Sequence, residues 1–157
     1  MPSSISICRG VPLVIDREQE TNDLCKAVHH ALKAFADAVP LVILGATGRR
    51  EDHAIGNVFH LPDFAAACGG QVALVTDHGT FEPVLPPGRT WRGLGRPGRP
   101  VSVFAAPDAV LSSEGLAWPL DGVRFDALCR GTLNRIVGTA FAIRTDCPVI
   151  LYLPHDG

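Results

Sequence analysis

Leu41-Val42-Ile43-Leu44-Gly45-Ala46-Thr47-Gly48-Arg49-Arg50-Glu51-Asp52-His53 decides how the chain is read. An apolar run of strand type ends at Gly45. A glycine-bearing turn follows, then two arginines, two carboxylates and a histidine, and then a helical pattern carried by Ile55, Val58 and Phe59. A tight turn between a buried strand and a helix gathers backbone N–H groups at a helix N-terminus, where anions bind well. Arg49 and Arg50 add fixed positive charge suited to phosphate oxygens. Glu51 and Asp52 would repel phosphate unless a divalent cation lies between them, as Mg²⁺ does at nucleotide sites. The stretch therefore points to a nucleotide phosphate site that also handles metal.

Two other readings compete. A solvated charged loop would have the same composition. Gly45-Ala46-Thr47-Gly48 after a strand also opens many nicotinamide-binding domains. That fingerprint wants a third glycine where Glu51 stands, and a longer run of strand–helix units after it. The pattern Gly-x-x-x-x-Gly-Lys-Ser/Thr is absent as well, so an ordinary P-loop is not expected.

Working outward, Val11–Ile15 reads as a strand. The acid-rich stretch 16–23 leads into a helix beginning near Thr21 or Asn22. Its apolar positions Leu24, Ala27, Val28, Ala31, Leu32 and Phe35 recur by three and four, so one face is expected to be buried. Asp23 lies in the first turn, where a carboxylate suits the helix dipole. After the central turn, the helix from His53 is interrupted by Pro62, and a second short helix should end at Gly69-Gly70. Gln71–Thr76 is the next strand. This order of strand, helix, strand, helix, strand reads as parallel α/β. From Asp77 onward no helical period of useful length appears. Short strands are expected at Phe81–Leu85, Val101–Ala105, Val110–Ser113, Thr139–Thr145 and Val149–Leu153, as in a small β-sandwich. The arginines of Gly93–Pro100 read as a solvated hairpin tip. The expected fold is thus α/β followed by all-β: a partial three-layer Rossmann-like α/β domain (residues 1–78) and a small β-sandwich (residues 79–157).

The chain has 157 residues, 46% hydrophobic and 19% charged, which fits one compact domain or two small ones. A net charge of −2 argues against a general nucleic-acid binder. No apolar run reaches the roughly 20 residues of a membrane span, and no secretory pattern precedes Gly10. The five cysteines are widely spaced with no C-x-x-C pair, so reduced structural thiols in a cytoplasmic protein are expected rather than a zinc site.

Two sets of segments together resemble the thiamine pyrophosphokinases. Gln19-Glu20-Thr21-Asn22-Asp23-Leu24-Cys25-Lys26-Ala27 and Gly45–His53 are similar to that family's acidic Thr-Asp-x-x-Lys-Ala helix start and its Thr-Gly-Gly-Arg-x-Asp-His loop. Gly115-Leu116-Ala117-Trp118-Pro119-Leu120 and Arg130-Gly131-Thr132-Leu133-Asn134 are similar to its Gly-Leu-Lys-Trp-Pro-Leu and Gly-Thr-Ser-Asn segments. The motifs occur in the family's order and spacing over nearly the whole chain. The resemblance implies a homodimer whose thiamine site lies between the α/β domain of one subunit and the sandwich of the other. It implies transfer of the β,γ-pyrophosphoryl unit of ATP to the hydroxyl of thiamine, with Mg²⁺, giving thiamine diphosphate and AMP.

Carried onto this sequence, the resemblance makes Asp23, Arg50 and Asp52 catalytic, with Asp23 and Asp52 on the metal. It places Gln19, Asn22, Thr47, Gly48 and Arg50 on the ATP phosphates, and Trp118, Thr132 and Asn134 on thiamine. Asp23, Arg50 and Asp52 should then converge at the C-terminal ends of the α/β strands. The residue chemistry is compatible: carboxylates are hard ligands for Mg²⁺, a guanidinium suits phosphoryl oxygens, and an indole face suits a cationic ring. Each residue also has a plainer reading. Asp23 could serve only the helix dipole, Trp118 could be a core residue of the sandwich, and Thr132 and Asn134 could simply form a turn. The sequence also departs from the pattern. The family's Gly-Asp-x-Asp-Ser motif has no counterpart ahead of the acidic helix, so the catalytic domain is expected to be N-terminally incomplete. Asn22 replaces a threonine, Arg49 a glycine and Leu133 a serine. A non-catalytic thiamine- or nucleotide-binding remnant of the enzyme is the alternative, and a nicotinamide-dependent oxidoreductase a distant third. The chain as it stands is expected to bind thiamine weakly and to release AMP slowly.

Overall fold

The computed structural model describes residues 4–8, 10–35, 40–86 and 90–155. The chain divides into two compact units, Met1–Asp37 and Ala38–Gly157.

The first unit holds an antiparallel hairpin, β1 (Ser4–Cys8) and β2 (Val11–Ile15), and the helix α1 (Asp23–Ala34). Asn22 starts the helix by accepting the Cys25 N–H on its side-chain oxygen at 2.9 Å, and Asp23 occupies the first turn. The buried stripe is narrower than the periodicity suggests. Cys25 and Val28 are buried and Leu24, Ala31 and Leu32 half-buried, while Ala27 and Phe35 are exposed.

The second unit is built on one six-stranded sheet in the order β3-β4-β5-β11-β7-β9. Its strands are β3 (Leu41–Leu44), β4 (Val72–Val75), β5 (Gly79–Val84), β7 (Pro100–Ala105), β9 (Gly131–Arg135) and β11 (Val149–Pro154). A three-stranded sheet, β6 (Thr90–Leu94), β10 (Ala140–Thr145) and β8 (Leu111–Glu114), completes the strand set. The helices α2 (Glu51–Phe59) and α3 (Leu61–Cys68) lie between β3 and β4 in sequence. A strand, two helices and a parallel strand form the α/β part, and every described element after it is a strand.

Successive residues of a strand face opposite ways, so the large sheet serves two layers. Val84, Val101, Val103, Ala105, Val149, Leu151 and Leu153 turn to one face. With Leu111, Phe141 and Ile143 of the small sheet and Phe125 they form the sandwich core. Phe81, Phe104, Ile150 and Tyr152 occupy the alternate positions on the other face. Tyr152 stands directly opposite Phe81, and Phe81 opposite Leu74. On the helical side α3 packs on β4 and β5, burying Leu61, Phe64 and Ala65.

β4 and β5 are hydrogen-bonded neighbours, so the sheet runs unbroken past His78 from the α/β part into the sandwich. The boundary between compact units falls earlier, between Asp37 and Ala38. The Gly93–Pro100 stretch is not a hairpin tip. β6 and β7 belong to different sheets, and the Arg99 guanidinium is half-buried, donating to the Pro154 carbonyl at 2.8 and 3.3 Å. The sequence also reads as a turn at Pro86-Pro87-Gly88 and as a strand starting at Val39, and both lie partly outside the described residues.

Candidate functional site

β3 ends at Leu44, and residues 45–50 turn the chain into α2. Gly48 adopts φ 101°, a left-handed conformation that an L side chain rarely accepts; no neighbouring atom crowds it, so backbone freedom alone calls for glycine here. The turn is held from below by Asn57, a buried side chain of α2 whose amide donates to the Ala46 carbonyl at 2.7 Å. Asn57 was not among the sequence-derived candidates. Its signal was an amide set among Ala54, Ile55, Val58 and Phe59 in an otherwise apolar stretch of helix.

At the head of α2, Arg50 grips Asp52 through two hydrogen bonds, Nε to Oδ1 at 3.1 Å and Nη2 to Oδ2 at 2.6 Å. Both side chains are exposed. The guanidinium holds the Asp52 carboxyl below the usual carboxylate range, and Asp52 raises Arg50 in turn. Glu51 shares the first turn with Asp52, so the positive end of the helix dipole faces two carboxylates. A cation and an anion are thus presented side by side on a strand–turn–helix junction.

Gln19, Asn22 and Asp23 lie in the first unit. Asn22 is committed to capping α1. Just upstream, the Glu18 carboxylate accepts the Thr21 hydroxyl and the N–H groups of Glu20 and Thr21; these bonds, the Thr21 hydroxyl foremost, lower its pKa. Gln19 donates to the Glu18 carbonyl at 3.1 Å. Among the described residues no three of His, Cys, Asp and Glu gather into a metal-holding group. Asp23 and Asp52 remain exposed carboxylates of the hard-oxygen type that Mg²⁺ accepts alongside several waters.

The third set of candidates lies in the sandwich. Trp118 is not a core residue: 58% of it is exposed. Its backbone is fixed by Asn134, whose Oδ1 accepts the Trp118 N–H at 3.1 Å while its Nδ2 donates to the Trp118 carbonyl at 2.6 Å. Oδ1 also accepts the Arg135 N–H at 2.8 Å, and the whole side chain is buried. The segment containing Thr132, Leu133 and Asn134 forms β9 and not a free turn. The Thr132 hydroxyl donates to the Cys129 carbonyl at 2.8 Å. Leu133 sits at φ 60° and is 81% exposed, beside an irregularity in the β7–β9 ladder where its N–H donates to the Ser102 hydroxyl at 3.2 Å.

A cavity of about 440 Å³ lies between α2 and the helical face of the large sheet. Ala54, Ile55, Val58 and Phe59 line it from the helix, and Phe81, Phe104 and Tyr152 from the sheet. Thr47 and Gly48 of the central turn, and Thr76, Asp77 and His78 after β4, form its polar end. The Tyr152 ring lies 4.6 Å, centroid to centroid, from that of Phe81. It also covers Gly79 so closely that a Cβ there would come within 2.6 Å of the ring.

Residues 5–68 match the family model of the thiamin pyrophosphokinase catalytic domain, and residues 89–152 that of the thiamin pyrophosphokinase substrate-binding domain. The chain belongs to the thiamin pyrophosphokinase family. Curated protein sequences give no match. Among solved structures, thiamine pyrophosphokinase from Bacillus subtilis is similar at 20% identity and a TM-score of 0.70, over 89% of this chain and 66% of that one. A thiamin pyrophosphokinase family protein from Enterococcus faecalis is similar at 21% identity and a TM-score of 0.72, over 91% and 68% of the two chains. Yeast thiamin pyrophosphokinase gives 16% identity and a TM-score of 0.62, over 82% of this chain and 45% of that one. The chain therefore spans about two thirds of these bacterial relatives and under half of the yeast one. The thiamin pyrophosphokinase catalytic-domain match takes in Asp23, Arg50 and Asp52, and the substrate-binding match takes in Trp118, Thr132 and Asn134. No helix among the described residues is long and apolar enough to cross a membrane.

Proposed function

We propose that the chain acts as a thiamine pyrophosphokinase, with residues 1–78 handling ATP and Mg²⁺ and residues 79–157 handling thiamine. The observation that carries this reading is the Arg50–Asp52 pair at the head of α2, set on a glycine turn inside the catalytic-domain match. In the reaction the thiamine hydroxyl oxygen bonds to the β-phosphorus of ATP. The bond from that phosphorus to the oxygen bridging it to the α-phosphorus breaks, AMP leaves, and the hydroxyl proton is released. Charge accumulates on the migrating group and on the leaving oxygen, so fixed positive charge is the main aid a protein can give. Arg50 supplies it once a phosphate oxygen takes the place of Asp52 in its fork. Thr47 and Gly48 offer backbone N–H groups to the same phosphates. Asp52 would hold Mg²⁺, which would neutralise phosphate charge; Asp23, in the first unit, is a carboxylate of the same hard-oxygen kind. Trp118 stacks on the thiamine ring, whose positive charge suits an indole face. Thr132 adds a hydroxyl. Asn134 contributes chiefly by holding Trp118, since its amide is already engaged there.

A homodimer with shared sites fits the same reading. Among the described residues β3 pairs with β4 alone and exposes Val42 and Leu44, an apolar edge that a second subunit could cover. A cytoplasmic location, where ATP is supplied, is consistent with it. The test is AMP release from ATP and thiamine in the presence of Mg²⁺, beside calorimetric thiamine binding. Arg50→Ala should lower turnover by about 10²–10³ and leave thiamine affinity within about twofold. Thiamine binding with no AMP from the unaltered chain would instead indicate a binding protein.

A further inference from the structure

Trp118 is the exposed ring of a short loop that leaves the end of β8 and closes at Asp121. We propose that Ser113 and Asp121 are positioning residues for thiamine: they close this loop and so fix where the Trp118 indole stands. The inference rests on the reading that Trp118 stacks on the thiamine ring, and it gives neither residue a contact with the ligand.

Three observations lead there. The first is the anchoring of the loop. Leu116 and Leu120 are buried, while Ala117, Trp118 and Pro119 between them are exposed. In a regular strand residues 116, 118 and 120 would all face one way. The chain is therefore bent between the two leucines, and the bend is what turns the indole outward. Second, the two sides of the bend are held by different means. On the entry side backbone suffices: the Ala117 N–H donates to the Arg135 carbonyl at 2.8 Å, and the Val137 N–H to the Gly115 carbonyl at 3.0 Å. On the exit side Pro119 has no N–H to donate, and side chains take over. The Ser113 hydroxyl accepts the Leu120 N–H at 2.9 Å, and the Asp121 carboxylate accepts the Ser113 N–H at 3.2 Å. Each end of the loop thus bonds to the other, as the two side chains of a capping box do at a helix start. Among the described residues β8 pairs with β10 alone, and the Ser113 N–H finds its acceptor in Asp121 rather than in a further strand. Third, little freedom is left between the ties. Asn134 fixes the N–H and carbonyl of Trp118, and the following proline confines Trp118 to extended backbone. With the exit closed as well, the indole keeps only its own side-chain torsions. A ring presented in this way loses less freedom when a ligand stacks on it, which favours binding.

The test is calorimetry with thiamine and with ATP, titrated separately into the whole chain, beside NMR relaxation of the Trp118 indole N–H. Ser113→Ala and Asp121→Ala each remove one acceptor, whereas Ser113→Thr and Asp121→Asn keep it. Trp118→Ala identifies the indole signal and measures the ring's own share of the affinity. Melting curves first establish that each variant is folded; Asp121 is exposed, so Asp121→Ala decides the matter should Ser113→Ala not fold. The expected result in both alanine variants is a loss of about three- to tenfold in thiamine affinity, with a more mobile indole. ATP affinity should stay within about twofold, and the threonine and asparagine variants should recover thiamine affinity to the same margin. In the Trp118→Ala background Asp121→Ala should add no further loss, because it acts through the ring. Thiamine affinity unchanged in folded Asp121→Ala and Ser113→Ala, with Trp118→Ala weakened, would overturn the proposal and leave the stacking reading in place. Thiamine affinity unchanged in Trp118→Ala, or no thiamine binding by the unaltered chain, would overturn both. An equal loss for ATP, an unchanged indole mobility, or a further loss in the Trp118→Ala background would also overturn the proposal.

Discussion

Asn134 holds both backbone groups of Trp118, accepting its N–H and donating to its carbonyl, while the indole itself stands out in solvent. An amide buried in the sandwich thus sets the position of an exposed ring. Asn134→Leu should leave the Trp118 N–H and carbonyl and the Arg135 N–H short of a partner. A cost of about 1–3 kcal/mol is expected, read from the denaturant midpoint. Trp118→Ala should cost much less stability, since the lost side chain is mostly exposed, and should fall on thiamine affinity instead. Equal stability losses in the two variants would contradict this division of labour.

The Arg50–Asp52 pair predicts a definite response to acid. The folded pKa of Asp52 is depressed, so the pair's contribution is fully present above the unfolded carboxylate value, about 3.9. It is lost as pH falls through the lower folded value. Between pH 5 and 8 the pair should not titrate. Carboxyl NMR of Asp52 should show a midpoint below that of an ordinary aspartate, returning upward in Arg50→Ala. Because both side chains are exposed, added salt should shrink the difference. An unchanged midpoint in Arg50→Ala would show that the fork does not form in solution.

Asn57 ties α2 to the Ala46 carbonyl. Asn57→Ala removes a buried donor from a partner it cannot easily replace, and a loss of about 1–3 kcal/mol follows. Hydrogen exchange should quicken at the amides of the 45–50 turn, and phosphate-dependent binding should weaken with it. Asn57→Asp keeps the shape but turns the donor into an acceptor facing a carbonyl, and should be no milder. Unchanged exchange in the turn would mean that this bond does not position it.

Leu133 has a left-handed backbone, which costs an L residue roughly 1–2 kcal/mol, and gains little in return because its side chain is exposed. Asparagine accepts that conformation more readily, so Leu133→Asn should raise stability by about 0.5–1 kcal/mol. Thermal melts suffice to check the sign. A loss of thiamine affinity in the same variant would indicate that the exposed leucine serves the ligand.

Much of the chain was legible because local chemistry and final position agree. Asn22 is a cap former and caps; Pro62 stands in the first turn of α3; Val149–Leu153 is β-branched and apolar and becomes a strand buried on both faces. The failures have a common cause. Thr90–Leu94 is interrupted by Gly93, and Gly131–Arg135 is rich in turn formers. Both become strands because β10 and β7 offer ladders to pair with, a decision made in the tertiary structure. Trp118 has the size of a core residue, the plainer of its two readings, yet its neighbours leave it exposed. At the site, Arg50 and Asp52 were readable as a charged pair beside a glycine turn. Asn57, Asp77 and the aromatic trough were not, because Phe81, Phe104 and Tyr152 meet only through the register of three strands far apart in sequence.

β11 occupies the middle of the large sheet, between β5 and β7, although it is the last described strand. During synthesis, both neighbours leave the ribosome long before the strand that joins them. Until Val149–Pro154 emerges, β5 and β7 each keep an open edge, and the aromatic floor under α2 lacks Tyr152. Such a nascent chain offers two sticky edges to any other strand nearby. Its completion awaits contacts spanning some seventy residues, which is a slow closure by the measure of sequence separation. Holdase protection during translation, or slow growth at low temperature, should therefore raise the soluble yield more than any change to the surface of the finished protein.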